Sequence, residues 1–293
     1  MKVVVNAVLY ALLLPDPLDI LLKGKKMPAR NTWTRNQLLI AFKLYCEIPF
    51  GKMHSRNPEI IKYAALIGRT PSALAMKLTN MASLDPAITS TGRKGLRAAS
   101  VADKAMWDQM QSDWEQFALE VQGIEEGLGI QAKEEIHREG PFDADERDDH
   151  SGESRSVLTA ARIGQEFFRR SVLSAYNYRC CVTGLAVPEL LIASHIVPWA
   201  KDPSNRLNPR NGLCLSMLHD KAFDMGIMTL DENMTIHVSR LYAKDTDEFF
   251  RAAVYAFEGQ RIALPEKFIP RADFLDYHRK VIFEARRVCE YSI

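Results

Sequence analysis

The chain has 293 residues, 47% of them hydrophobic and 26% charged, and its net charge at pH 7 is +1. These values are typical of an ordinary globular protein, and the length suits two domains or one large domain. Five cysteines without a C-x-x-C pair exclude a disulfide framework and a four-cysteine zinc knuckle. We therefore expect reduced thiols, no structural zinc and a cytoplasmic location.

The first 26 residues are difficult to assign. The apolar run Val3–Leu14 is too short to span a bilayer, and no small-residue cleavage site follows it. We treat residues 1–26 as a doubtful N-terminal extension, and the true start is either Met1 or Met27.

Residues 27–119 are predicted to form a helical domain. Thr32 or Thr34 can cap a first helix, and a second helix from Pro58 to Ile67 ends at a glycine. Thr70 is an N-cap for a third helix, because a proline follows it at the first helical position. A further amphipathic helix is predicted over 103–119.

The second and third helices resemble a helix-turn-helix, which favours DNA binding over a plain packing role. The third helix is expected to expose Lys77 and Asn80, with Arg69 at its entrance, and the following loop adds Arg93 and Lys94. Cations and amides of this kind contact phosphates and base edges. This region carries 12 Lys and Arg against 7 Asp and Glu, the largest basic surplus in the chain.

Residues 120–155 are predicted to be a linker. They carry 12 Asp and Glu against 4 Lys and Arg, with a single aromatic residue. Such a segment buries too little apolar surface to fold alone.

Residues 156–293 are predicted to form a second globular domain. We predict a helix over 162–176, short strands over 178–183 and 190–193 around a Gly184 turn, and a helix over 217–223. A hairpin over 228–230 and 235–238 follows, and then helices over 245–257 and 273–284.

Within this domain, chemistry-bearing side chains occur in a fixed order. Ser194 and His195 follow a strand, Asn211 comes next, and His219 and Asp224 lie on or near a helix. Phosphodiester hydrolysis needs a base for water and a cation at the phosphate, which an imidazole and a helix-borne ligand set can supply. Each residue alone has an ordinary structural explanation.

The segment resembles the HNH (ββα-metal) endonuclease family, in particular its prokaryotic restriction and defence members. The resemblance covers residues 157–285 and rests on a C-x-x-T-G turn, the motifs ASHIVPW, NGL and LHDKAFDMG, and a tail containing RIALPEKFIP and FLDYHRKVIF. It implies an α+β protein in which a helical N-terminal domain precedes a ββα-metal nuclease domain flanked by helices.

The resemblance also implies roles for individual residues. His195 matches the general base, Asn211 the residue that holds the ββα loop, and His219 and Asp224 the metal ligands. Ser194 stands where many members carry Asp or His, so we expect a site with fewer protein ligands, occupied by Mg²⁺ or Mn²⁺. His278 and Arg279 match the tail motif and are expected to be structural or close to phosphate.

These features predict a DNA endonuclease of restriction or phage defence that cuts double-stranded DNA, with a homodimer favoured if both strands are cut. The alternatives are a DNA-binding protein with a decayed nuclease site and a defence nuclease activated by a ligand or partner. The sequence does not separate DNA from RNA as the substrate.

Overall fold

The computed structural model describes residues 32–90, 99–130, 152–242 and 247–283. The doubtful extension over 1–26, and the predicted DNA contacts Arg93 and Lys94, lie outside these residues.

The first three helices begin at side-chain caps, and Thr34 and Thr70 are caps that the sequence predicts. Thr34 caps α1 with a capping box, and Asn57 and Thr70 each accept a backbone hydrogen bond at the start of the next two helices. Asp85 caps a short fourth helix. The helices are α1 (Arg35–Glu47), α2 (Pro58–Leu66), α3 (Pro71–Ala82) and α4 (Pro86–Thr89).

The single helix predicted over 103–119 is wrong, because two helices replace it: α5 (Val101–Ser112) and α6 (Trp114–Gly127). Asp113 interrupts the helix because its backbone angles are extended. Its side chain caps α6 by accepting a hydrogen bond from the backbone N–H of Gln116. The helix α6 also continues beyond the predicted start of the linker at residue 120, since Val121 packs into the core. Residues 131–151, the centre of the predicted linker, are not described.

The long helix α7 (Gly152–Ala175) precedes a two-stranded antiparallel sheet, β1 (Leu191–His195) and β2 (Gly212–Ser216). The strand predicted over 178–183 is wrong: in its place are turns in which Asn177 and Tyr178 adopt positive φ. The partner of β1 is instead β2, which pairs Ser194 with Leu213. The helix α8 (Met217–Asp224) follows β2 directly, capped by Ser216.

The remaining elements follow the predicted order with shorter bounds. A second antiparallel pair is formed by β3 (Met228–Leu230) and β4 (Ile236–Val238). The helices after it are α9 (Glu248–Ala253) and α10 (Ala272–Tyr277), and a π-helical turn over 278–283 continues α10.

Helices from before and after the acidic segment share one hydrophobic core, and the described residues from Thr34 onward form one compact unit. The ring of Trp114 lies 6.1 Å from Phe167 and 5.9 Å from Phe268. The fully buried Lys267 donates hydrogen bonds to the carbonyls of Tyr45, Cys46 and Ile48 at the end of α1. These contacts join the predicted helical domain to the C-terminal half through buried groups.

Among the described residues, no helix has the length and apolarity needed to cross a bilayer.

Candidate active site

The strand β1 ends with the two residues that the sequence singled out, Ser194 and His195. Successive side chains of a strand point to opposite faces, and here the hydroxyl lies towards α8 and the imidazole towards α7. The His195 ring stacks on Phe168 of α7, with ring centroids 4.0 Å apart, and meets the edge of Trp199.

One ring nitrogen of His195 is fixed by the loop that follows the strand. Its Nε2 lies 2.8 Å from the carbonyl oxygen of Arg206, so Nε2 carries the proton and donates it. The Nδ1 atom then holds a lone pair. Burial lowers the pKa of His195 to about 4, while the hydrogen bond to Arg206 opposes that shift. The imidazole is therefore neutral at pH 7, which is the form that accepts a proton.

The close packing behind His195 depends on one glycine. Gly212 pairs with His195 across the sheet, and a Cβ atom there would collide with Val172 and approach Phe168 to 3.0 Å. The absence of a side chain lets α7 approach the sheet closely enough for Phe168 to stack on the imidazole.

Asn211 is fully buried and binds the loop between the strands. Its Oδ1 accepts from the backbone of Val197, and its Nδ2 donates to the carbonyls of Val197 and Asn205. This geometry fits the loop-holding role that the family resemblance implies. Both the oxygen and the nitrogen of the Asn211 amide are therefore already hydrogen-bonded within the described chain.

Two carboxylates, Asp220 and Asp224, lie one turn apart on α8, and the first of them faces Ser194. Burial and the neighbouring Asp220 raise the pKa of Asp224 to about 6. Burial also raises the pKa of Asp220, and the hydroxyl of Ser194 opposes this, so that hydroxyl faces the carboxyl. Ser194 is 2% exposed, so its hydroxyl is shielded from water beside the Asp220 carboxyl.

His219 lies in a different environment. Its Nδ1 is 2.7 Å from the hydroxyl of Ser216, and its ring meets the edge of Phe257. The Nε2 atom is buried, and His219 together with Ala253 and Phe257 lines an open groove of about 420 Å³. Burial lowers the pKa of His219, and the backbone of Ala253 opposes the shift.

The described residues contain no cluster of three or more His, Cys, Asp or Glu side chains able to hold a metal ion. Ser194, Asp220 and Asp224 nevertheless supply an oxygen donor set, in which the hydroxyl faces Asp220 and the two carboxylates are close enough for Asp220 to raise the pKa of Asp224. Such a set fits a hard divalent cation that keeps several of its waters.

The residues of the N-terminal helices that were predicted to contact DNA are buried or bonded to other side chains. Lys77 is 7% exposed and its Nζ lies 2.8 Å from the carboxylate of Asp103, so the expectation of an exposed cation was wrong. Asn80 is also buried. Arg69 is half-buried, and its guanidinium donates to the side chain of Gln37. The helical pattern did not reveal which face meets α5.

The tail residues have structural roles. His278 is buried, stacks on Phe223 and bonds both Thr229 and the Phe223 carbonyl. Arg279 donates to the carbonyl of Leu230.

Sequence reasoning missed three residues of this site: Phe168, Arg206 and Asp220. Asp220 had a usable signal, because it stands four residues before Asp224 and so on the same helix face. Phe168 and Arg206 had none, since their roles depend on how α7 and the loop pack against β1.

Comparison with protein families agrees with this geometry. Residues 180–231 match the model of an HNH endonuclease family, HNH_2, and the match contains β1, β2 and α8. No curated protein matches the chain. Residues 180–231 are therefore similar to an HNH endonuclease domain, which supports a nuclease activity of the HNH type.

Proposed function

We propose that the protein is a metal-dependent endonuclease that hydrolyses phosphodiester bonds of double-stranded DNA, in restriction or phage defence. The observation that carries the proposal is the state of His195. A neutral imidazole ends the first strand, with Nε2 bonded to a backbone carbonyl and Nδ1 left to accept a proton. This is the arrangement that a general base for water requires.

In this proposal, Asp220 and Asp224 hold a divalent cation, with the hydroxyl of Ser194 beside them. When bound, the cation neutralises charge on the scissile phosphate and the leaving oxygen. His195 takes the proton from the attacking water, while Phe168 and the Arg206 carbonyl keep the ring in one orientation. Asn211 acts by holding the loop, and His219, in its separate groove, is a weaker ligand candidate than Asp220.

The role in defence rests on the family resemblance of the motifs. We retain DNA binding by the helical region as part of the proposal, through Arg69, Arg93 and Lys94, whereas Lys77 and Asn80 are removed from it by their burial. Binding of this kind releases counterions and should weaken steeply as salt rises.

Incubation of the full chain with supercoiled plasmid tests the proposal directly. Plasmids with and without base modification are compared in Mg²⁺, Mn²⁺ and EDTA, and structured RNA serves as the competing substrate. We expect nicked or linear DNA only when a divalent cation is present. Cleavage in EDTA, or of RNA alone, would contradict the proposal.

A further inference from the structure

The helices before the acidic segment make an ionic contact with the loop that holds His195. The Nη2 atom of Arg206 lies 2.6 Å from Oε1 of Glu115, in the first turn of α6. The two residues are 91 positions apart in the chain. Arg206 lies within the matched nuclease segment, whereas Glu115 lies well before it.

The same arginine makes two contacts that reach the proposed base. Its backbone carbonyl accepts the Nε2 proton of His195, and its guanidinium lies over the ring of Trp199, 5.1 Å from the centroid. Trp199 in turn meets the edge of the His195 imidazole. A shift of the arginine would therefore move both the acceptor of the imidazole proton and one wall around the ring.

The loop around Arg206 has its own internal bonds. Asn205 bonds Asp202, Asn208 bonds Asn205, and Asn211 donates to the Asn205 carbonyl. These contacts shape the loop, but they do not connect it to α6. The contact with Glu115 supplies such a connection.

We propose that Glu115 is a positioning residue for catalysis: through Arg206 it fixes the carbonyl that orients the imidazole of His195. The inference rests on the proposed function, since it assumes that His195 is the base. It gives the helical region a role in the chemical step, separate from any role in DNA binding. A partly exposed ion pair contributes little to stability, so a catalytic effect of its loss can be separated from unfolding.

The test compares Glu115→Gln with Glu120→Gln in the full chain. Glu120 lies on the same helix and pairs with Arg35, away from the loop, so its substitution removes a similar surface ion pair. Single-turnover nicking of plasmid DNA, measured over a range of protein concentrations, separates the maximal rate from apparent affinity. We expect Glu115→Gln to lower the maximal rate about 10-fold with little change in affinity, because small displacements of a base are costly.

Two further variants test whether restoring the ion pair between residues 115 and 206 restores the cleavage rate. Glu115→Asp should retain most of the rate, and the exchange Glu115→Arg with Arg206→Glu should recover activity relative to either single variant. A change confined to apparent affinity would overturn the proposal, because Arg206 would then act as a phosphate ligand that Glu115 restrains. Equal rates in Glu115→Gln and Glu120→Gln would also overturn it.

A measurement without substrate keeps this inference separate from the proposed function. Nitrogen-15 NMR of His195 in the DNA-free protein reports which ring nitrogen carries the proton. We expect the Nε2–H form in wild type and in Glu120→Gln, and a larger Nδ1–H fraction in Glu115→Gln. An unchanged tautomer in Glu115→Gln would overturn the positioning role. If Glu115→Gln shifts the tautomer of His195 but the wild-type protein cleaves no nucleic acid, the positioning contact stands and the nuclease proposal fails.

Discussion

The nuclease segment and the N-terminal helices differ in how their charged groups are paired. In the helices, Lys77 pairs with Asp103, and Lys43 bonds Glu47, Glu125 and the hydroxyl of Tyr63. In the β1–β2–α8 segment, by contrast, Asp224 lies close enough to Asp220 for that second carboxylate to raise its pKa.

This difference separates groups that hold the fold from groups that are available to a ligand. Two carboxylates held side by side repel each other, and an opposite charge or a bound cation relieves that repulsion. Paired ions in the helices indicate a structural role, whereas the neighbouring carboxylates of α8 indicate a site that a cation would complete. Variants in each region test that distinction.

The largest effect is expected for the proposed base. His195→Ala should lower the rate of DNA cleavage by about 10²–10⁴-fold, because proton transfer by a positioned side chain contributes that much. Plasmid nicking measures the rate, and His54→Ala is the control, since His54 is an exposed histidine of the helical region. Cleavage by His195→Ala at the rate of the control would remove His195 as the base.

The next effect concerns stability in the helical region. Lys77→Met leaves Asp103 fully buried without its cation, and we expect it to destabilise the protein by about 3–5 kcal/mol. The double variant Lys77→Met with Asp103→Leu should recover much of that loss. Denaturant unfolding measures both. A stable Lys77→Met protein with weakened DNA binding would instead restore the original prediction that this lysine contacts DNA.

A smaller effect is expected on metal affinity. Asp220→Asn and Asp224→Asn should each weaken Mn²⁺ binding by about 10- to 100-fold, while His219→Gln changes it less. Asp220→Asn should also stabilise the metal-free protein, because it removes a half-buried carboxylate that lies next to Asp224. Calorimetric titration and thermal unfolding supply the measurements. If His219→Gln and Asp224→Asn lose the metal while Asp220→Asn keeps it, the ligand set predicted from the sequence is the correct one.

The smallest effect is a pH dependence of stability. Burial lowers the pKa of His278 to about 4, below its value of about 6.5 in an unfolded chain. Between these values the unfolded chain binds more protons, so stability falls as pH drops from 6.5 towards 4.

For His278 alone this loss is about 2 kcal/mol between pH 7 and pH 5. We expect His278→Leu to be less stable at pH 7 but to show a shallower decline with acid than wild type. His54→Leu is the matched control. Parallel declines in all three proteins would show that His278 does not take up the proton on unfolding.

The sequence determined the local structure of both regions well. Capping residues such as Thr34 and Thr70 placed helix starts, because their side chains satisfy backbone amides within one turn. The resemblance of the ordered motifs around His195 and Asn211 to HNH endonucleases located the segment that the family model matches. These signals act over a few residues and can be read without the fold.

Tertiary structure alone decided which groups meet across the chain. Lys77 looked like an exposed cation because nothing near it in sequence shows that Asp103 packs against it. The strand predicted over 178–183 failed because β1 pairs with a strand 17 residues beyond its end, at Gly212. Likewise, the contact of Glu115 with Arg206 spans 91 positions. Pairing of buried charges and strands depends on which surfaces are removed from water together, and only the assembled core determines that.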